Sequence, residues 1–294
     1  MKQTHDRQKF SGAARCHRYH RRNQIGGMRM RKTALAVLLG VLAAGPAAAL
    51  TCGNDAAGFG AWKREFASYA AQNGVGARGL AALEGANYAT RTINADRNQR
   101  SFRYALDEFM RIRGGDTIVA QGRRQIANNR DFFLALEQRF GVPSSIIVAI
   151  HGMETGFGHG MGDSNVISAI TTLAYDCRRP AFFTPHAVAA LQLVDRGAIS
   201  ANSVGAMHGE LGHTQFLPGN IITYGVDGNG DGVVDMTNRA DALYSTANFL
   251  RQKGWQTTLG YMEGQPNFAV IQEWNAAGVY QRAIALIASR IDAP

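Results

Sequence analysis

The stretch "FGVPSSIIVAIHGMETGFGHG", residues 140–160, decides the reading of this chain. Gly141 precedes it, Pro143 suits a first helical turn, and Ile146, Ile147 and Ile150 form an apolar stripe at helical spacing. Gly156 suits the position just past a helix end. A helix running from Pro143 to about Thr155 puts Glu154 in its last turn, on the face shared with Ile147, Ile150 and His151. Apolar neighbours and the negative end of the helix dipole both disfavour the charged carboxylate there. A carboxylic acid that keeps its proton near neutrality suits a general acid, and the following glycines leave room for a polymer to approach. On spacing alone, an ordinary C-terminal Glu with a surface hydrogen bond is the favoured reading.

The net charge of +9 points first to nucleic acid or an anionic surface. Its distribution removes that reading. Through Ala49 ten basic residues stand against Asp6, leaving 21 basic and 21 acidic residues out of 31 and 22 for everything after it. The basic surplus belongs to residues 1–49, and no nucleic-acid partner is expected of the rest.

Within residues 1–49, "MRMRK" precedes "TALAVLLGVLAAGPAAA", a basic segment, an apolar segment and a small-residue end. The order is that of a secretory signal cleaved before Leu50, with residues ahead of Met28 as an upstream extension and Met28 or Met30 as the start. Gly45 and Pro46 break the apolar run short of the roughly 20 residues a spanning helix needs. The expectation is a periplasmic or secreted protein without a transmembrane span in its mature chain. Loss of Cys16 leaves Cys52 and Cys177, and in an oxidising compartment one long-range disulfide is the simplest outcome. Closing so long a loop contributes about 4 kcal/mol in the chain-entropy picture. A lipid anchor on Cys52, or two buried free thiols, are the alternatives.

Periodicity over the remaining 245 or so residues favours helix. "FGAWKREFASYAAQNG" spaces Phe59, Trp62, Phe66 and Tyr69 at three and four residues and stops at Asn73-Gly74; "ALDEFMRI", "RDFFLALEQRFG", "HAVAALQLVDRG", "RADALYSTANFLRQKGW" and "YQRAIALIASRI" repeat the pattern. Alternating Val- and Thr-rich segments are scarce, so any sheet is small. "EGANYATRTINADRNQR", residues 84–100, reads as an extended connector.

Four further segments complete an ordered set with the opening stretch: "TLAYDCRRPAFF", "GELGHTQFLPG", "VDGNGDGVVDM" and "VIQEWNAAGVY". In this order and from roughly Cys52 to the end, the chain resembles the lytic murein transglycosylase B family, glycoside hydrolase family 103, with its SLT domain 2. The resemblance implies a mainly α, lysozyme-like catalytic domain with an accessory helical lobe and a small β and EF-hand-like loop region. It places the helical lobe at about 50–130 and the lysozyme-like core at about 131–294. It implies cleavage of the bond between N-acetylmuramic acid and N-acetylglucosamine in peptidoglycan, closing a 1,6-anhydro ring, with glycan strands as partner and no cofactor for the chemistry. Glu154 would first protonate the leaving oxygen and then take the proton of the muramic O6 hydroxyl, unlike the two-carboxylate scheme of most glycosidases.

The resemblance carries over to other positions. Gln215 and Phe216 match a Gln-Phe pair that lines the cleft, the amide for a sugar acetamido group and the ring for a pyranose face. Arg178 and Arg179 match a pair that meets peptide or lactyl carboxylates. Trp274, Asn275 and Tyr280 align with C-terminal cleft residues. Trp274 stands where the best-known member has Tyr, Phe249 also replaces a cleft Tyr, and Ala206 occupies a position that can be Ser. Glu210 is a second carboxylate near the cleft; reaching the anomeric carbon it would permit ordinary hydrolysis, and a noncatalytic peptidoglycan binder is a further alternative. In "DGNGDGVVDMTN", Asp227, Asn229, Asp231, Val233 and Asp235 fall at positions one, three, five, seven and nine of a calcium loop. Position twelve is Asn238 instead of a bidentate Glu, so either a weak structural Ca2+ site or a Gly-rich turn without an ion is expected.

Overall fold

The structure, a computed structural model, describes residues 50–98 and 104–294. The signal segment, its cleavage site at Ala49 and the alternative start codons lie outside the described residues.

The chain enters through α1 (Phe59–Gln72), α2 (Ala77–Glu84), α3 (Thr90–Arg97), α4 (Leu106–Arg113), α5 (Gly115–Asn128), α6 (Arg130–Phe140) and α7 (Ser144–Thr155). There follow β1 (Ser164–Asn165), α8 (Val166–Tyr175), α9 (Pro180–Arg196), β2 (Val204–Gly205), α10 (Pro218–Tyr224), α11 (Arg239–Gln252), α12 (Phe268–Trp274) and α13 (Gly278–Asp292). Thirteen helices among the described residues, with one two-stranded antiparallel sheet pairing Ser164 with Gly205 and Asn165 with Val204, make the fold mainly α. Among the described residues no single helix is long and apolar enough to cross a membrane.

Helix α7 is the axis of the larger core. Its first free amide, Ser144 N–H, donates to Glu137 Oε1 at 2.6 Å, and Pro143 caps it from just outside the first turn. At the other end Gly156 takes φ 58°, the left-handed cap that a side chain strains to adopt. Expected as an amphipathic stripe, α7 is instead buried on every side: all its residues are buried except Glu154. It lies among α5, α6, α11 and α13, and the core they share includes Ile118, Phe133, Leu243 and Ile284. Helix α4 joins the same core through Phe109 and Met110. A continuously apolar helix in water is stable only when wrapped in this way.

The second core is aromatic. Phe59, Trp62 and Phe66 of α1 pack with Tyr88 and with Tyr175 at the end of α8; Trp62 and Phe66 stack with centroids 4.6 Å apart. α2, α8 and α9 complete it. The Cys52–Cys177 disulfide, with Cα atoms 5.0 Å apart and a sequence separation of 125, fastens the start of the described chain to the end of α8. Backbone hydrogen bonds Gly53 N–H to Tyr175 O and Cys177 N–H to Gly53 O run beside it.

The 84–100 segment departs from the expected connector, because it holds α3. The helix lacks a regular apolar stripe, and it is kept by burying Thr92, Ile93 and Asp96, with packing against α8. Its stability comes from tertiary partners distant in sequence, which periodicity cannot register.

Candidate active site

Glu154, in the last turn of α7, is the one residue of that helix that reaches an accessible surface, and the surface it reaches is the floor of a cavity of about 630 Å³. The same cavity is lined by Gln215, Phe216, Trp274, Asn275 and Tyr280, so residues spread over more than 120 positions of sequence converge on one carboxyl group.

The wall facing Glu154 is aromatic. Trp274, the last residue of α12, donates its Nε1–H to Glu154 Oε1 at 2.9 Å. Its ring stands edge-on to Phe216 at 5.5 Å and to Phe249 at 5.3 Å. Phe216 and Phe249 are themselves buried, so they support the indole more than they meet a ligand. Tyr280, from the first turn of α13, has a buried hydroxyl beside Glu154 with no partner at good hydrogen-bond geometry. Burial and the negative charge of Glu154 push its pKa well above the usual phenol range. Asn275 Oδ1 accepts the Ala277 N–H at 2.9 Å, fixing the turn between α12 and α13 that holds Trp274 and Tyr280 in place.

Burial pushes the Glu154 carboxyl from an ordinary 4.5 up to about 7. The Trp274 and Tyr280 side chains and the Arg113 guanidinium oppose that rise by favouring the charged form, and Glu210 adds to it. Two states therefore lie within reach of each other near neutral pH, which a group that gives and then recovers a proton requires.

Phe216 is carried by the hairpin Leu211–Phe216, closed by Leu211 N–H to Phe216 O and Phe216 N–H to Leu211 O. Gln215 sits at its turn with φ 54°, a left-handed backbone that a non-glycine residue adopts at a cost. Its Nε2 donates to Gly212 O at 2.7 Å, which orients the amide against the backbone of its own turn. The hairpin is tied to the end of α7. Thr155 Oγ1 donates to His213 O at 2.7 Å, and His151 Nε2 lies 3.0 Å from His213 Nδ1. Burial, then His213 and Arg239, lower the His151 pKa from 6.5 to about 3, so this pair is neutral and shares one proton as a hydrogen bond. The glycines after the acid do not line the cavity, and of them Gly158 serves this joint. A Cβ on Gly158 would lie 2.4 Å from the His213 ring.

Arg113 was not legible in the sequence. It ends α4, donates Nη2–H to the Met153 carbonyl oxygen, holds its guanidinium 5.9 Å over the Tyr280 ring and lines the cavity. An arginine in a helix's last turn reads as a solvated end, and only the packing of α4 against α13 turns it inward.

Arg178 and Arg179 do not line the cavity. Both bind the buried carboxylate of Asp96, and Arg97 pairs with the equally buried Asp176 at 2.7 Å. The side chains remain 43% and 38% exposed while their charged ends are committed to Asp96 of α3.

The 227–238 loop uses its carboxylates on itself. Asp227 accepts N–H groups from Gly230, Asp231 and Gly232, Asp231 accepts from Val233 N–H and Asn229 Nδ2, and Asp235 accepts from Thr237. Asn238, expected at position twelve, caps α11 through Ala240 N–H. Fully buried Asp241 accepts from Gly228, Asn229 and Asp235 N–H and clamps the loop at both ends. Among the described residues no three His, Cys, Asp or Glu side chains gather as metal ligands.

Residues 58–263 match the Transglycosylase SLT domain family. The chain is 35% identical over 120 residues, 40% of its length and 33% of the relative's, to membrane-bound lytic murein transglycosylase B of Escherichia coli K12; it thus matches a third of that protein. Its fold is similar to that of SltB3 from Pseudomonas aeruginosa, solved in complex with NAG-anhNAM-pentapeptide, with TM-score 0.73 and 26% identity over 80% of this chain and 79% of that one. It is also similar to Escherichia coli Slt35, solved in complex with calcium, with TM-score 0.69 and 21% identity over 83% and 96% of the two chains. With the family match spanning most of the chain, this protein belongs to the transglycosylase SLT domain family.

Proposed function

We propose that the protein is a peptidoglycan lytic transglycosylase, cutting the β-1,4 bond from N-acetylmuramic acid to N-acetylglucosamine with Glu154 as its one acid and base. The observation that carries the reading is the Glu154 carboxyl, poised near pH 7 at the floor of an aromatic-walled cavity. In the first step Glu154 gives its proton to the glycosidic O4 as the C1–O4 bond breaks, and the sugar's own acetamido group stabilises the cation at C1. In the second, the Glu154 carboxylate takes the proton of the O6 hydroxyl as O6 bonds to C1. The acid is restored, no water is consumed, and the product ends in a 1,6-anhydro ring.

Trp274 Nε1–H and Arg113 stabilise the carboxylate between the two steps, and Gln215 offers its carbonyl oxygen and ring-facing position to a substrate acetamido group. The hydrogen bond from Trp274 fills the role a tyrosine hydroxyl would have, so the change of residue retains a donor at the acid. Arg178 and Arg179 meet glycan carboxylates while Asp96 holds them. The signal-like segment directs the mature chain, from Leu50 onward, to the periplasm or outside. Calcium takes no part in the chemistry.

Purified protein incubated with sacculi tests the reading. Mass spectrometry is expected to find anhydro-ended muropeptides, lost in Glu154→Gln. Reducing-end products reassign the activity to hydrolysis, and retention on sacculi without release reassigns the protein to binding.

A further inference from the structure

The cavity contains a second carboxylate to which the proposed chemistry gives no task. Glu210 lies between β2 and the 211–216 hairpin and is 24% exposed. Both of its oxygens are engaged. Oε2 accepts the His208 backbone N–H at 3.1 Å, and Oε1 lies 3.4 Å from His208 Nδ1. On its far side the imidazole Nε2 is 3.9 Å from Oδ1 of Asp96, the carboxylate that Arg178 and Arg179 bind.

A histidine between two carboxylates favours its charged form, and the hydrogen bond to Glu210 with the charges of Glu210 and Asp96 raises the His208 pKa against burial and Arg179. Both Glu210 oxygens are thereby held against His208. Glu154 shares the cavity with the Glu210 carboxyl, and Phe216, Phe249 and Trp274, which also line it, are poor at screening. From the other elements packed around Glu154 come groups of the opposite effect: Arg113 on α4, Trp274 on α12 and Tyr280 on α13.

We propose that Glu210, held in place by His208, is a positioning residue for the catalytic proton: its carboxylate keeps that proton on Glu154 until a glycan oxygen takes it. The use made of the proton rests on the transglycosylase reading, whereas the coupling of the two carboxyl groups does not. The consequence is that the enzyme keeps its acid form to higher pH than it would without the Glu210 carboxylate.

The test is a titration of the full chain with carbon-13 in its glutamate carboxyl groups, the Glu154 resonance being identified by its loss in Glu154→Gln. The Glu154 midpoint is expected to fall by about half a unit in Glu210→Gln, the size of a like-charge effect across a partly screened cavity. It is expected to stay at the parent value in Glu210→Asp, which keeps the charge. The alkaline limb of the rate on sacculi follows the same two shifts. An unmoved midpoint in Glu210→Gln overturns the proposal, and so does an equal shift in both variants, which marks a packing effect. If the midpoint moves as expected while Glu154→Gln still digests sacculi, the coupling stands and the transglycosylase reading alone falls.

Discussion

Trp274 and Glu154, 120 residues apart in sequence, share a hydrogen bond of 2.9 Å from the indole Nε1–H to carboxyl Oε1. The donor is on the last residue of α12 and the acceptor in the last turn of α7, so two helix ends define the position of the acid to within one bond. A donor to a carboxylate favours its charged form, and its loss has a sign.

Trp274→Phe keeps an aromatic ring and removes the donor. The Glu154 midpoint is expected to rise by about one unit, because a hydrogen bond to a charged group contributes roughly 1.5–3 kcal/mol. The rate on sacculi at neutral pH should fall about tenfold, with the alkaline limb of its pH profile displaced upward. A profile unchanged in position would show that the indole only fills space.

Glu154→Gln is expected to remove activity while raising stability in alkaline solution. Burial raises the folded-state pKa from 4.5 to about 7, so the folded protein holds a proton that the unfolded chain has lost in that window. The parent therefore loses stability as pH climbs from 4.5 through 7, and the loss is complete above it. Gln is neutral throughout. Chemical denaturation at pH 8 should find the variant more stable by up to about 3 kcal/mol, with the difference vanishing near pH 4.

His151 sets the behaviour in acid. Its folded-state pKa of about 3 lies below the ordinary 6.5, so its contribution is whole above 6.5 and is lost as pH falls toward 3. Unfolding free energy should drop between these limits by as much as about 1.4 kcal/mol per pH unit for one proton. His213, lowered by burial as well, adds to the slope. His151→Asn should be less stable at pH 7.5 and show a shallower decline below 6.5, measured by denaturant titration at stepped pH.

Asp241, which clamps the 227–238 loop through three N–H donors, should be more important to that loop than any ion. Asp241→Asn is expected to cost about 2 kcal/mol, since an amide oxygen replaces a charged acceptor. A chelator is expected to leave the melting temperature of the parent where it is. A rise on adding millimolar calcium would instead mean that the loop rearranges to bind it.

Much of this could be read in residue order. The cap at Gly156, the position of Glu154 in the last turn of α7, the α1 stripe of Phe59, Trp62 and Phe66, and the pairing of two remaining cysteines all depend on neighbours a few residues away or on simple counting. α3 is not legible in the sequence because its polar face is satisfied through Asp96 by Arg178 and Arg179, over 80 residues on. Arg113 is not legible for a similar reason: a helix-end arginine has the same local pattern whether it faces water or a carboxyl group.

Local spacing determined that an apolar helix would deliver one acid at its end, since helical geometry converts sequence distance into a face and a cap. It could not determine what surrounds that acid. The indole donor from α12, the guanidinium from α4, the histidine pair that ties α7 to the Gln215 hairpin and the His208–Glu210 pair all arrive by chain reversal, and proton affinity depends on those through-space neighbours. Residue order specified the acid, and packing specified when it holds its proton.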